Sequence, residues 1–410
     1  MTWLTEEQIR ERLSNVTPDI RVTHNGRWID QKCAPDVLCI VSDCIENYVS
    51  RTGAEFFSSV DIWRDEYAML NVRRIFSKPE LDLTTSRNEY DKFFQQPMES
   101  LAAAKILIKE KRGSRNYYKI GDSELLSYIA IRERNALTFL QVYISLVLGS
   151  SGLLDDFELF FKLQTAEAYF DLKRKFEDFT IEHTPINGRT ECRRIFTKVI
   201  NPLAFKYHSR GTEKGRISRR PITYDMLMYN RDNFRDIYSE KPKDMTRSEY
   251  EAKIKFRPNA NYTRYMSVKA KRFLREYNDA YRGGFSEVSA GGESKDPAIH
   301  MHHIFPEARY PEIAAYLENL IALTPTQHLA YAHPMGNTQA IDAEFQRVCL
   351  LAKSHSIEKN LNGVESLVIY EFSRFLFVLD TGFSTDEFSK IENGDFAGII
   401  RKINLKYAAI

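Results

Sequence analysis

The chain has 410 residues, 43% hydrophobic and 28% charged, an ordinary globular composition with room for two or three domains. Its net charge of +2 excludes a protein that is basic all over, so any nucleic-acid surface has to be local. Five cysteines (Cys33, Cys39, Cys44, Cys192, Cys349) form no C-x-x-C pair, which argues against a disulfide framework or a cysteine zinc site and for a reducing cytosol.

The N-terminus, MTWLTEEQIRERL, lacks the apolar run of a signal peptide. In IRVTHNGRWIDQK (20–32), two β-rich runs flank Asn25-Gly26, the strongest short signal for a hairpin. Residues 36–50 read as a helix with Val37, Leu38, Val41, Cys44, Ile45 and Val49 on its apolar side. Further helices follow to about 150, interrupted by EKRGSRNYYKIG (110–121). Lys111, Arg112, Arg115 and the Tyr117-Tyr118 pair make that stretch a basic hairpin. Helices plus a basic hairpin suggest a winged-helix arrangement, so 1–150 is expected to be an α+β DNA-recognition domain. The apolar run at 136–154 approaches the length of a membrane span. Gln141 and a Gly-Ser-Ser-Gly break instead predict a buried helix.

Residues 151–290 are expected to form a mainly helical middle domain. It opens with one long amphipathic helix over 155–180, with aspartates in the first turn. KYHSRGTEKGRISRR (206–220) then gathers Lys206, Arg210, Lys214, Arg216, Arg219 and Arg220 around two glycines. Such a stretch is either a solvated loop or one that follows a phosphate backbone. KAKRFLRE (269–276) is a second basic patch, on a helix, and the Gly/Ser-rich 283–298 marks a linker and domain boundary. Helices are expected at 341–355 and 363–380, within a helical C-terminal segment 341–410.

Between 291 and 340 the pattern changes. HMHHIFPEARYPEIAAYLENLIALTPTQHLAYAH (300–333) holds five of the nine histidines. Neutral imidazole is the commonest metal ligand, and its pKa lies nearest neutral pH. The alternation in AIHMHHIFP predicts a strand with His300 and His302 on one face and His303 on the other. NLIAL reads as a second strand. Thr324 as N-cap and Pro325 at the first helical position start a helix that carries His328 and stops before Pro334.

Strand, loop, strand and helix in this order resemble the ββα-metal fold of HNH nucleases, among them the colicin DNases and the HNH restriction endonucleases. The matching residues are His302-His303, Asn319, His328 and the run from Thr324 to His328. The resemblance implies that His302 and His328 bind one divalent metal, Mg²⁺ or Mn²⁺ foremost, with Ni²⁺ or Zn²⁺ also compatible. It implies His303 as general base, Asn319 as the residue holding the base loop, and products with 5′-phosphate and 3′-hydroxyl ends. The family's last ligand lies four residues after the helix histidine, where this chain has Ala332. His333 is five residues on, so its reach is left open, and His300 is a candidate supporting residue. The physical logic is independent of the family. A histidine can deprotonate a water, while a divalent ion can stabilise the phosphorane charge and the leaving oxygen.

A short nuclease module within a long non-toxin, non-membrane chain suits a type II restriction enzyme. The expected protein is a cytoplasmic, bacterial or archaeal enzyme acting on double-stranded DNA, multidomain and α+β. One HNH site cuts one strand, so a homodimer is expected, paired functionally with a cognate DNA methyltransferase. Two other enzymatic possibilities remain. Pro18-Asp19 and Asp30-Gln31-Lys32 satisfy the loose PD-(D/E)-x-K pattern, and the expected hairpin would set Asp19 opposite Lys32. An RNase would need the same chemistry with 2′-hydroxyl recognition. A non-catalytic DNA-binding protein is the remaining alternative. His24 with Cys33, Cys39 and Cys44 fits no zinc-finger spacing, and buried thiols are the expectation there.

Overall fold

The computed structural model describes residues 4–76, 84–229, 260–288, 296–333, 341–365 and 367–408. The chain divides into two units, Met1–Lys255 and Phe256–Ile410. Both are mainly helical, and the described residues contain three two-stranded sheets, so the class is α+β.

In the first unit, α1 (Glu6–Arg12) and α2 (Ile20–Thr23) lead into α3 (Pro35–Thr52), the central helix. Pro35 starts α3, where its missing N–H costs nothing, and Gly53 ends it at φ +68°. The predicted apolar positions Val37, Leu38, Val41, Cys44 and Ile45 are all buried. Around α3 come α4 (Ser59–Trp63), α5 (Glu66–Phe76), α6 (Thr84–Ala103), strands β1 (Leu107–Arg112) and β2 (Arg115–Ile120), α7 (Ser123–Ile131) and α8 (Glu133–Ser150). Helix α8 carries the apolar run from 136 as far as Ser150, and Leu137, Phe139, Leu140, Val142, Tyr143, Ile144, Val147 and Leu148 are buried in the core. Each such side chain contributes about 1.5–3 kcal/mol on burial. Among the described residues no single helix is long and apolar enough to cross a membrane. All five cysteines are buried free thiols.

Two expected elements in this unit take another form. The hairpin over 20–32 does not exist. Asp19 accepts from the Arg21 N–H and caps α2, Ser151 Oγ accepts from the Ile20 N–H, and His24 ends the turn at φ +50°. Asn25 Oδ1 then accepts from the Arg27 N–H, closing an Asx turn rather than a strand turn, and Trp28 is buried edge-on against Tyr143. The helix expected over 155–180 is two helices, α9 (Leu154–Leu163) and α10 (Ala166–His183). Gln164 breaks it at φ +54° and Thr165 caps α10. The break folds Phe157 and Phe160 back onto Tyr169, Phe176 and Phe196, a buried aromatic cluster that one straight helix would pull apart.

Phe196 belongs to α11 (Arg189–Lys206). The arginine-rich loop after it is a small hairpin, β3 (Thr212–Glu213) and β4 (Arg216–Ile217). Lys214 and Gly215 turn it at φ +51° and +79°, as a two-residue hairpin turn requires. Helix α12 (Tyr224–Leu227) follows.

The second unit begins upstream of the Gly/Ser-rich stretch expected to separate domains. Helix α13 (Ala260–Tyr281) packs across β5 (His300–His303) and β6 (Leu320–Leu323), so it shares a unit with the histidines. Residues 289–295 of the stretch lie outside the described residues. A π-helical turn (Gln327–Ala332) comes next, then α14 (Ala343–Leu361), α15 (Phe372–Phe383) and α16 (Phe396–Ala408). The helix expected over 363–380 starts later than expected. Gly363 sits at φ +72°, and Asn360 Oδ1 accepts from the Ile369 and Tyr370 N–H groups, holding that approach extended.

Candidate metal centre

Strand β5 pairs antiparallel with β6, His300 opposite Leu323, His302 opposite Ile321 and His303 opposite Leu320. The pleat sends His300 and His302 to one face and His303 to the other. On the first face, His302, His328 and His333 meet edge to face. Their ring centroids are 5.2 Å (302–328), 5.0 Å (302–333) and 5.0 Å (328–333) apart. One ring nitrogen from each lies within 4.8 Å of the other two. Among the described residues this is the one group of three or more such side chains placed to share an ion.

The five-residue interval between His328 and His333 follows from the backbone. The helix begins as an α-turn and continues as a π-turn over Gln327–Ala332, where bonding runs i to i+5. Residues five apart then share a face, and His333 takes the place that an α-helix would give to Ala332. His300 stacks flat on His328, centroids 4.5 Å apart and rings 3° from parallel. It buttresses one ring of the trio. Pro334, expected to end the helix, lies outside the described residues.

Nε2 of His302 and Nδ1 of His328 are buried with no hydrogen-bond partner in the protein. An unmet buried polar atom costs about 1–3 kcal/mol, and a metal ion would take both lone pairs. Burial holds His302 down at about 3, aided by the neighbouring His328 and His333. Burial also lowers His328 to about 4, with His300 and His333 adding to it. Both rings are neutral at pH 7, the form that binds metal. Three imidazoles, two of them buried and one half-buried, fit a first-row transition ion, and nitrogen donors suit Mn²⁺, Ni²⁺ or Zn²⁺ better than Mg²⁺.

His303, on the opposite face, is buried, and burial followed by the Lys271 charge lowers it to about 4. Its Nε2 donates to the Ala314 carbonyl at 3.0 Å, with Ser267 Oγ at 3.2 Å. A proton on Nε2 leaves the lone pair on Nδ1. Ser267 donates to Glu307 at 3.2 Å, and that carboxylate lies 3.8 Å from the imidazole. Asn319 is fully buried and clamps the loop between the strands. Its Oδ1 accepts from the Phe305 N–H at 2.8 Å, and its Nδ2 donates to the carbonyls of Phe305 at 3.0 Å and Ile313 at 3.3 Å.

Several residues that hold the centre in place carried little or no sequence signal. Gln327 completes a capping box with Thr324. Its Oε1 accepts from the Thr324 N–H at 3.0 Å and the Ser286 hydroxyl at 2.6 Å, and its Nε2 donates to the Val288 carbonyl at 3.1 Å. The Thr-x-x-Gln spacing was legible as a capping box. Glu287 lies in the stretch read as linker, yet its side chain is buried. It accepts from the Ala322 N–H of β6 and from Lys353 Nζ at 2.7 Å, with Arg282 at 3.2 Å. Lys271, from the basic patch on α13, is half-buried, and its charge reaches His302, His303 and His328.

The rival N-terminal residues do not assemble as expected. Without the hairpin, Asp19 is the cap of α2, ion-paired with Arg21 at 2.8 Å. Asp30 is paired with Arg27 at 2.6 Å. Lys32 Nζ donates to Tyr229 OH at 2.6 Å and lies 3.4 Å from Glu89. Asp30 and Lys32 line a polar cleft of about 500 Å³, and Asp19 is not part of its lining. The six basic residues of 206–220 divide too. Lys206 is paired with Glu6 at 2.6 Å, and Arg210 bonds to the backbone carbonyl of Gln164. Lys214, Arg216, Arg219 and Arg220 are exposed on or beside the β3–β4 hairpin. Asn201 anchors that hairpin through both the N–H and the carbonyl of Thr212.

No family model, no curated protein and no solved structure matches this chain.

Proposed function

We propose that the chain is a metal-dependent endonuclease for double-stranded DNA, of the HNH type and of the type II restriction class. The observation that carries this reading is the trio His302, His328 and His333, with one ring nitrogen from each within 4.8 Å of the other two and with His302 Nε2 and His328 Nδ1 buried without a partner. These three would hold the ion. When bound, the ion supplies charge stabilisation at the scissile phosphate and at the leaving oxygen.

The protein's own groups would do the rest. His303, neutral at pH 7 and fixed by the Ala314 carbonyl, accepts a proton from the attacking water at Nδ1. Glu307, through Ser267, bears on the other nitrogen and favours the imidazolium once the proton has moved. Asn319 keeps the loop, and with it the Ala314 carbonyl, in register with β5. Lys271 offers a cation for the substrate phosphate. Hydrolysis leaves 5′-phosphate and 3′-hydroxyl ends, and a homodimer or two successive nicks would complete a double-strand break.

The test is plasmid DNA with Mg²⁺, Mn²⁺, Ni²⁺ or Zn²⁺, comparing the natural protein with His303→Ala and Lys32→Ala. Discrete fragments from the natural protein and Lys32→Ala, and none from His303→Ala, are expected. Fragments that survive His303→Ala and vanish with Lys32→Ala would move the chemistry to the N-terminal residues.

A further inference from the structure

The β1–β2 ribbon has a feature that stability alone does not explain. Its register sets Arg112 directly opposite Arg115 at the tip, and like charges so placed repel. Lys111 is next to them, and all three side chains are exposed. Lys111 and Arg115 have no acidic partner among the described residues. Arg112 lies over the Phe56 ring at 4.0 Å, which stiffens it, and pairs with Glu110 at 2.9 Å. A concentrated, pre-ordered positive tip is stabilised when an anion sits against it.

The ribbon is also fixed to a helix. Glu99 on α6 accepts from three ribbon donors, Lys109 at 2.7 Å, Asn116 at 3.0 Å and the Tyr118 hydroxyl at 2.6 Å. On its other edge, Phe57 and Tyr118 exchange backbone bonds at 2.9 and 2.8 Å, adding a third strand position. The order α3, Phe57 bridge, α4, α5, α6, β1, β2 resembles a winged-helix module with one additional helix before the ribbon. Helix α6 buries Tyr90, Phe93, Phe94 and Met98 and exposes Asn88, Lys92 and Gln95, one stripe at i, i+4 and i+7.

We infer that this module is the DNA-reading surface of the first unit, with α6 entering the major groove and the ribbon tip gripping the backbone. Asn, Gln and Lys are the side chains that pair with purine edges in the major groove, which admits an α-helix, while arginines and lysines at a ribbon tip suit phosphates. The deep, narrow groove of A-form RNA would not admit the helix. The choice of duplex DNA rests on the function proposed above, and binding can be measured apart from cutting.

The experiment is anisotropy of labelled duplexes with the full chain in EDTA, over a range of salt. One variant combines Lys111→Ala, Arg112→Ala and Arg115→Ala. A second combines Asn88→Ala, Lys92→Ala and Gln95→Ala, and a third keeps the charge with Arg112→Lys and Arg115→Lys. Thermal melting of each establishes folding. The tip variant should bind every duplex more weakly, and its slope of log affinity against log salt should drop by about 2.7, at about 0.9 per phosphate contact. The lysine variant should retain the slope. The stripe variant should lose about tenfold or more of the preference for a duplex selected by the natural protein over random sequence, with its salt slope unchanged. An unaltered slope for the folded tip variant, or unaltered preference for the stripe variant, overturns the inference. So does tighter binding of the natural protein to duplex RNA than to DNA. If the tip variant binds like the natural protein and plasmid cutting with Mn²⁺ persists, the DNA-reading surface is wrong and the nuclease reading stands. If tip and stripe behave as expected and no metal yields cutting, the nuclease reading fails alone.

Discussion

His333 and Asn319 make the residue-scale case. His333 was an open question because α-helical geometry wants a ligand four residues after His328, and the π-turn makes five the matching interval. Calorimetric titration with Mn²⁺ or Zn²⁺ should therefore show His333→Ala weakening binding by at least tenfold, as His302→Ala does; equal affinity would remove His333 from the ligand set. Asn319→Ala leaves the Phe305 N–H and carbonyl unmet in a buried place, a loss of about 2–3 kcal/mol in denaturant unfolding. It should slow cleavage while sparing metal affinity, because Asn319 touches the loop and none of the three rings. The histidines also predict a pH response of the metal-free protein. His302 at about 3, and His303 and His328 at about 4, lie below the ordinary 6.5. Between those values and 6.5 the unfolded chain binds more protons, so stability is full above 6.5 and falls as the pH drops toward 4. Melting in EDTA from pH 7.5 to 4.5 checks this, and a flat profile contradicts it.

At the scale of elements, the histidine trio depends on two supports. The first is the capping box at Thr324 and Gln327, which starts the turn that carries His328 and His333. The second is the buried Glu287–Lys353 pair beside β6. Burial lowers the Lys353 ammonium, and Glu287 facing it keeps it charged at neutral pH. Lys353→Met strands a buried carboxylate with Arg282 as its remaining cation, so a loss of about 3 kcal/mol is expected in chemical denaturation. An unchanged midpoint would show that Arg282 alone suffices. Elements with strong local signals were legible: α3 from its apolar period, β1–β2 from its basic turn, β5 from its alternation and β6 from its short apolar run. The hairpin over 20–32 was not, because Asn25-Gly26 favours a turn without saying whether strands flank it. Asp19 and Ser151, far apart in sequence, settle the matter by capping and anchoring a helical turn there.

For the whole molecule, the boundary between units lies at Lys255 and Phe256 and not in the Gly/Ser-rich stretch. Composition marks where a chain is free of its own secondary structure, whereas packing decides what each segment belongs to. Glu287 shows the difference, its side chain buried and bonded to the Ala322 N–H of β6 from within a segment that reads as linker. The sequence by itself determined the mainly helical α+β class, the strand, loop, strand and helix order around the histidines, and the residue types able to bind a metal. These depend on local periodicity and on side-chain chemistry, which a linear pattern carries. Only the tertiary structure decided that His302, His328 and His333 converge, that His300 stacks beside them, and that Asp19 stands apart from the cleft that Asp30 and Lys32 line. Convergence depends on contacts between residues distant in sequence and on one backbone detail, the π-turn, whose stability comes from what packs around it.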